Sequence, residues 1–198
     1  MLVYSAITSL DGYTTDPDGN FEWSAPDEEV LAFLNDRERP IGTYLYGRLM
    51  YEVMHVWENV DLDGQSAAFR DYAGIWRAAD KIVYSSSLPD ATAGTMTTAT
   101  ATAGTATAAT ARTRVERSFD PEAVRALKER GDVSIGGPTL AAHAIRAGLV
   151  DVYELYVTPF IVGGGLAALP AGVRVPLDLV DEHRFASGVV YLRYRSHS

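Results

Sequence analysis

Val133-Ser134-Ile135-Gly136-Gly137-Pro138-Thr139-Leu140, continuing to Gly148, is the stretch whose reading decides the fold. A short β-branched run ends in two glycines, Pro138 occupies a first helical position, and Gly148 stands where a helix C-terminus wants a glycine. The pattern predicts strand, tight turn, helix. Leu140, Ala141, Ala144, Ile145 and Gly148 fall on one helical face with His143 and Arg146 opposite, as in a helix laid on a sheet. The glycines then stand at the carboxyl end of the strand. There a bare backbone admits close approach by a ligand, and the free N–H groups of a helix start suit a phosphate. Two readings follow: a nucleotide site, or a βα turn whose glycines only relieve strain.

Outward from this unit the same grammar repeats. Leu2 to Thr8 reads as a buried strand followed at once by the turn Ser9-Leu10-Asp11-Gly12, which puts Asp11 at a strand end. A loop carrying Phe21 and Trp23 leads to Pro26-Asp27-Glu28-Glu29, which opens a helix through Val30, Leu31, Phe33 and Leu34. Ile41 to Tyr46 is a strand, and Gly47-Arg48 leads into a short helix. Phe69, Tyr72, Ala73 and Trp76 have the i, i+3, i+4, i+7 spacing of an amphipathic helix, followed by the strand Lys81 to Tyr84 and the run Ser85-Ser86-Ser87. The segment 91–111 is Ala and Thr apart from Gly94, Met96 and Gly104, and reads as an expanded low-complexity loop. Arg112 to Glu116 is a strand, Asp120-Pro121 caps a helix ending at Gly131, and Asp151 to Thr158 is another strand. Gly163-Gly164-Gly165 reads as a mobile turn, and His183 to Ala186, Ser187-Gly188 and Val189 to Arg195 make a final hairpin.

Strands alternating with helices, closed by a hairpin, give an α/β class: a central mixed, mainly parallel sheet with helices on both faces and a C-terminal antiparallel hairpin. The 198 residues, 47% hydrophobic and 22% charged, suit a single domain over 1–198. A net charge of -9 without a Lys/Arg stripe argues against nucleic acid or an anionic membrane as partner. Without cysteine there is no thiolate chemistry and no Cys-based zinc site, and the four histidines lack metal-ligand spacing. No apolar run reaches a membrane-spanning length and no leader pattern opens the chain, so a cytoplasmic location is expected.

Ligands of such sheets bind outside the carboxyl ends of the strands, and four polar strand ends could share one cleft here. Gly136-Gly137 would take a pyrophosphate, Arg48 with Ser85 and Ser86 a further phosphate, and Asp11 a hydrogen-bonding substrate. That is the shape of an NADPH site, although both the Gly-x-Gly-x-x-Gly fingerprint and the Walker loop are missing. Asp11 is the candidate for supplying a hydrogen bond or proton, and Trp23 for a pocket wall.

Ser9-Leu10-Asp11-Gly12, Tyr46-Gly47-Arg48-Leu49-Met50-Tyr51-Glu52, Lys81-Ile82-Val83-Tyr84-Ser85, Ile135-Gly136-Gly137-Pro138 and Gly148-Leu149-Val150-Asp151, in that order, resemble the dihydrofolate reductase-like superfamily. Within it the chain resembles the branch related to the C-terminal reductase domain of the riboflavin-biosynthesis deaminase-reductase. The resemblance implies a sheet of about eight strands, a homodimer, and an oxidoreductase using NADPH on a pterin-, folate- or pyrimidine-like small molecule. It implies Gly47 and Arg48 at the cofactor phosphates, Ser85 and Ser86 by the adenosine phosphate, and, since folate reductases place a substrate-binding acid on the first helix, Glu28 at the substrate. Ile135, Gly136, Gly137, Pro138, Thr139 and Leu140 would line the pyrophosphate and nicotinamide, with Ala6 and Ile7 facing the nicotinamide. Ser86 stands where this branch often has arginine, Val152 where an acidic residue is usual, and Leu166 where a polar residue is common. The competing expectation is a nucleotide-binding or interaction protein of the same fold without turnover.

Overall fold

The computed structural model describes residues 1–88 and 112–197, so the expected Ala/Thr loop at 91–111 lies outside the described residues. The strands are β1 (Leu2–Thr8), β2 (Ile41–Gly47), β3 (Asp80–Tyr84), β4 (Thr113–Glu116), β5 (Asp132–Gly136), β6 (Val152–Val157), β7 (Leu177–Arg184) and β8 (Val190–Ser196). The helices are α1 (Glu28–Glu38), α2 (Arg48–Met54), α3 (Ala67–Ala78), α4 (Pro121–Arg130) and α5 (Pro138–Arg146). The strands form one eight-stranded sheet in the order β4-β3-β2-β5-β1-β6-β8-β7, parallel except where β8 joins β6 and β7.

Strand alternation divides the core. Leu2, Tyr4, Leu45, Ile82, Val133 and Ile135 point to one face and pack with Val124 of α4 and Leu140, Ala141, Ala144 and Ile145 of α5. Val3, Tyr44, Tyr46 and Val83 point to the other and pack with Tyr51 of α2 and with Tyr72 and Trp76 of α3, Trp76 being wholly buried. This is the three-layer arrangement that the alternation of elements predicts.

Local chemistry sets the helix ends. The Asp27 side chain accepts from the Val30 amide at 2.9 Å to start α1, and Asp120 accepts from the Glu122 amide at 2.9 Å ahead of Pro121 to start α4. Helix α5 ends in a Schellman pair: the Leu149 amide donates to the Ala144 carbonyl at 3.0 Å and the Gly148 amide to the Ile145 carbonyl at 3.1 Å. Gly148 takes the left-handed conformation, φ 63°, that this closure requires.

Three expectations change. The first hairpin strand starts at Leu177, six residues ahead of the expected His183, because it is an edge strand. Asp178, Asp181 and Glu182 alternate with nothing buried, so no periodicity marks it. The glycine run 163–165 is not a free turn: a Cβ on Gly165 would lie 2.0 Å from the Thr15 carbonyl oxygen, and its flanks are hydrogen-bonded to the loop after β1. Finally, Tyr153, Tyr156, Tyr191 and Tyr194 put large amphipathic side chains on the late strands and from sequence suggest a partly exposed dimer face, but Tyr153, Tyr156 and Tyr191 are buried within the chain, 4%, 0% and 0% exposed, and Tyr194 is half-buried. Among the described residues no helix is long and apolar enough to cross a membrane.

Candidate functional site

Pairing between β1 and β5 runs only from Leu2↔Val133 to Tyr4↔Ile135, whereas β1 continues beside β6 to Thr8↔Val157. On the other side of β5, β2 reaches Tyr46↔Gly136 and goes on to Gly47. The sheet therefore splits where β5 stops, and the β5 side of β1 is left without a strand from Ser5 onward. Leu2, Val3 and Tyr4 are buried while Ser5, Ala6 and Ile7 on the same central strand are half-buried, which marks an open notch over Ala6 and Ile7.

The turn after β5 forms one rim of this notch. Gly136 is a packing glycine: an added Cβ would come within 2.7 Å of the Tyr46 ring. Gly137 has φ 85° and its Cβ position lies 3.1 Å from Met50 Cβ, so a side chain there meets both strain and a neighbour. Gly47, the N-cap of α2, faces Leu140 of α5 at 3.8 Å from its Cβ position. The two glycine turns, after β2 and after β5, thus pack against each other. Ile135 and Leu140 are buried beneath, Gly137 and Pro138 are half-buried, and Thr139 is exposed. Because Pro138 has no N–H, the Thr139 and Leu140 amides are the free donors at the start of α5.

Arg48 opens α2 beside this rim. Its Nε donates to Glu52 Oε1 at 2.8 Å and its Nη1 to Ser87 Oγ at 3.0 Å. The partner from the serine run is thus Ser87. Ser85 is buried and turned inward, its Oγ accepting from the Leu88 amide at 3.1 Å and the Ser87 amide at 3.3 Å, while Ser86 is exposed. Arg117 donates to the Ser85 and Leu88 carbonyls and fixes this turn from β4's far end. Ser87 and Glu52 stand in the quoted serine run and strand-end motif without an assigned role of their own, although the i, i+4 spacing of Arg48 and Glu52 was a usable signal.

On the other rim, the Asp11 carboxylate accepts from the Gly163 amide at 2.8 Å and the Val162 amide at 3.2 Å. The Ser9 hydroxyl first, then the Gly163 and Val162 amides, hold its carboxyl below the usual carboxylate range. An acid so engaged stays ionised and ties two loops together. Thr15 Oγ1 takes the Leu166 amide at 3.2 Å, and Tyr13 bridges Ala167, extending the same seam. Trp23 is half-buried, donates from Nε1 to the Asn20 carbonyl at 3.2 Å and leans on Phe160 with ring centroids 6.2 Å apart. Leu10 and Phe21 in the loop after β1, and Phe160 and Ile161 in the loop after β6, are exposed. Glu28 is the exposed first residue of α1.

A depression of about 510 Å³ between α1, α3 and the start of β2 lies at the opposite, amino ends of the strands. It is walled by Arg39, Arg70 and Asp71, with Arg39 already paired to Asp71 at 3.0 Å, and it shares no residue with the notch.

Comparison with known proteins agrees with this architecture. Residues 1–191 match the family described as the RibD C-terminal domain. The riboflavin biosynthesis protein RibD of Mycobacterium tuberculosis is 44% identical over 60 residues, which is 29% of this chain and 18% of that protein's length. The chain therefore spans under a fifth of the curated relative. A pyrimidine reductase-like protein from Corynebacterium diphtheriae superposes with TM-score 0.65 at 18% identity, covering 100% of this chain and 92% of that one. Dihydrofolate reductase from Enterococcus faecalis, complexed with NADP(H), superposes with TM-score 0.59 at 17% identity, covering 100% and 97%. The fold is that of dihydrofolate reductase, and the chain belongs to the RibD C-terminal domain family.

Proposed function

We propose that the protein is a reductase that uses NADPH to transfer hydride to a pterin-, folate- or pyrimidine-like small molecule. The observation that carries this reading is the notch over Ala6 and Ile7, flanked by two glycine turns that pack on each other. The residues present fit a dinucleotide. Gly136 and Gly137 let the turn close on Tyr46 and Met50, which sets the start of α5 where a pyrophosphate would approach, with the Thr139 and Leu140 amides free to hold it. Arg48, with Ser87 and the exposed Ser86, would take the adenosine phosphate. Ala6 and Ile7 would support the nicotinamide ring from the floor of the notch.

The bound cofactor supplies the hydride; the chain supplies orientation, a partly dry pocket and polar contacts. Trp23 and Phe160 form an aromatic wall for a flat heterocycle, and Glu28 stands at the start of α1 for a polar edge. Asp11 acts by holding the 158–166 loop against the loop after β1, which shapes the substrate side of the notch. This engagement of Asp11 also favours a second reading, a dinucleotide-binding protein without turnover.

Titration of the purified protein with NADPH and NADH, followed by loss of dihydronicotinamide absorbance with a panel of pteridines, folates and aminopyrimidines, tests both. Oxidation of NADPH with one of these substrates is the expected result. Binding of NADPH without oxidation by any of them supports the second reading, and failure to bind either dinucleotide removes both.

A further inference from the structure

Glu52 lies on the outer side of α2, one turn beyond Arg48, and its contribution to stability is small by every physical measure available. The pair is half in solvent, with side-chain exposures of 50% and 35%, and surface pairs of this kind contribute little. Its order along the helix, cation first, is the weaker orientation, and a cation in the first turn opposes the helix dipole. Its geometric effect is larger. A guanidinium can grip a phosphate bidentately along either of two edges: the edge shared by Nε and one Nη, or the end formed by both Nη groups. With Nε held by Glu52 at 2.8 Å the first edge is closed, and with Nη1 steadied by Ser87 at 3.0 Å the end edge faces the serine turn. Among the described residues these two are Arg48's only partners.

We propose that Glu52 is a positioning residue that sets phosphate discrimination: by occupying Arg48 Nε it fixes the guanidinium end-on toward the Ser86–Ser87 turn, where a 2′-phosphate would sit. The inference rests on the dinucleotide reading above and adds the residue that determines its specificity. Glu52 does not touch the ligand. A long arginine side chain released from it samples many rotamers, and the ordering cost then falls on the binding step.

The test uses two probes that carry only the adenosine end, adenosine 2′,5′-bisphosphate and adenosine 5′-monophosphate, with affinities measured by calorimetry on the intact protein. The wild-type chain is expected to prefer the bisphosphate, and Glu52→Ala is expected to lower that preference by roughly tenfold, the loss of one ordered charge-assisted contact. Glu52→Gln keeps an oxygen acceptor for Nε and should restore the preference to within about twofold of wild type. In an Arg48→Ala background Glu52→Ala should change nothing further, since the two residues act through one contact. Equal weakening of both probes by Glu52→Ala, an unchanged or increased preference, or a Gln variant as poor as the Ala variant would each overturn the proposal. A wild-type chain that does not distinguish the two probes would instead overturn the phosphate assignment of Arg48, and this proposal with it.

Discussion

The Asp11 carboxylate accepts the Gly163 amide at 2.8 Å, joining residues 152 positions apart in the chain. With the neighbouring Val162 amide at 3.2 Å, this is a two-donor clamp between the loop after β1 and the loop after β6. Asp11→Ala should free both amides, and their hydrogen exchange should accelerate by roughly tenfold or more while exchange within β1 and β6 stays slow. Unchanged exchange at Val162 and Gly163 would show that the loops hold without it. Because the Asp11 pKa is depressed in the folded state, the clamp's contribution is present above the ordinary carboxylate pKa and is lost as pH falls through the lower, folded value.

Glu38 gives the opposite pH dependence. Its carboxyl is buried at the end of α1, and burial, with the Glu154 carboxylate as a lesser cause, pushes its pKa up to about 7. An acid raised in the folded state contributes stability fully below its unfolded pKa, and that contribution is lost as pH rises toward about 7. Thermal melts of the wild type should fall between mildly acid and neutral pH, and Glu38→Gln should flatten that decline, gaining on the order of 2 to 4 kcal/mol relative to wild type at neutral pH. Parallel melting curves for the two proteins would place the titration elsewhere.

Gly136 is held by the Tyr46 ring, 2.7 Å from where a Cβ would be. Overpacking of this kind typically costs about 1 to 3 kcal/mol. Gly136→Ala should therefore lower the melting temperature and, by displacing Tyr46 and the turn it supports, weaken dinucleotide binding in the protein that remains folded. A Gly136→Ala chain with wild-type melting would mean that Tyr46 moves aside freely.

Most of the fold was legible because the elements that matter announce themselves locally. The Asp27 and Asp120 caps, the Pro138 helix start, the Gly148 closure and the Phe69-Tyr72-Ala73-Trp76 face all stand where short-range chemistry places them. Strand β7 escaped because an edge strand of mostly exposed residues carries no period. At the site, Gly47, Arg48 and Gly136 were readable as strand-end chemistry. The engagement of Asp11 was not, since its partners are backbone amides of Val162 and Gly163, which no side-chain pattern encodes. The inward turn of Ser85 was hidden for the same reason, its partners being the amides of Ser87 and Leu88.

The homodimer expectation now has a different surface to rest on. Leu179 and Val180 are 50% and 45% exposed on β7, beside a register shift between Leu179 and Asp181. Charged neighbours and such a bulge discourage edge-to-edge strand pairing, so the pair of apolar side chains is the better contact for a second copy. Light scattering at low micromolar concentration should give about twice the 21.5 kDa chain mass, and Leu179→Asp with Val180→Asp should return it to the single-chain value. A wild-type mass near 21.5 kDa ends this expectation.

The strand order has a consequence for how the chain is made. Strand β1 emerges first, yet both of its neighbours, β5 and β6, begin only at Asp132 and Val152. The β2-β3-β4 half-sheet draws only on residues 41–116 and can pair while synthesis continues. Its union with β1 waits for β5 to be inserted between them. A nascent chain halted before residue 132 therefore holds the largely apolar β1 with no partner on either side, and the notch over Ala6 and Ile7 comes into being only once β5 has been made.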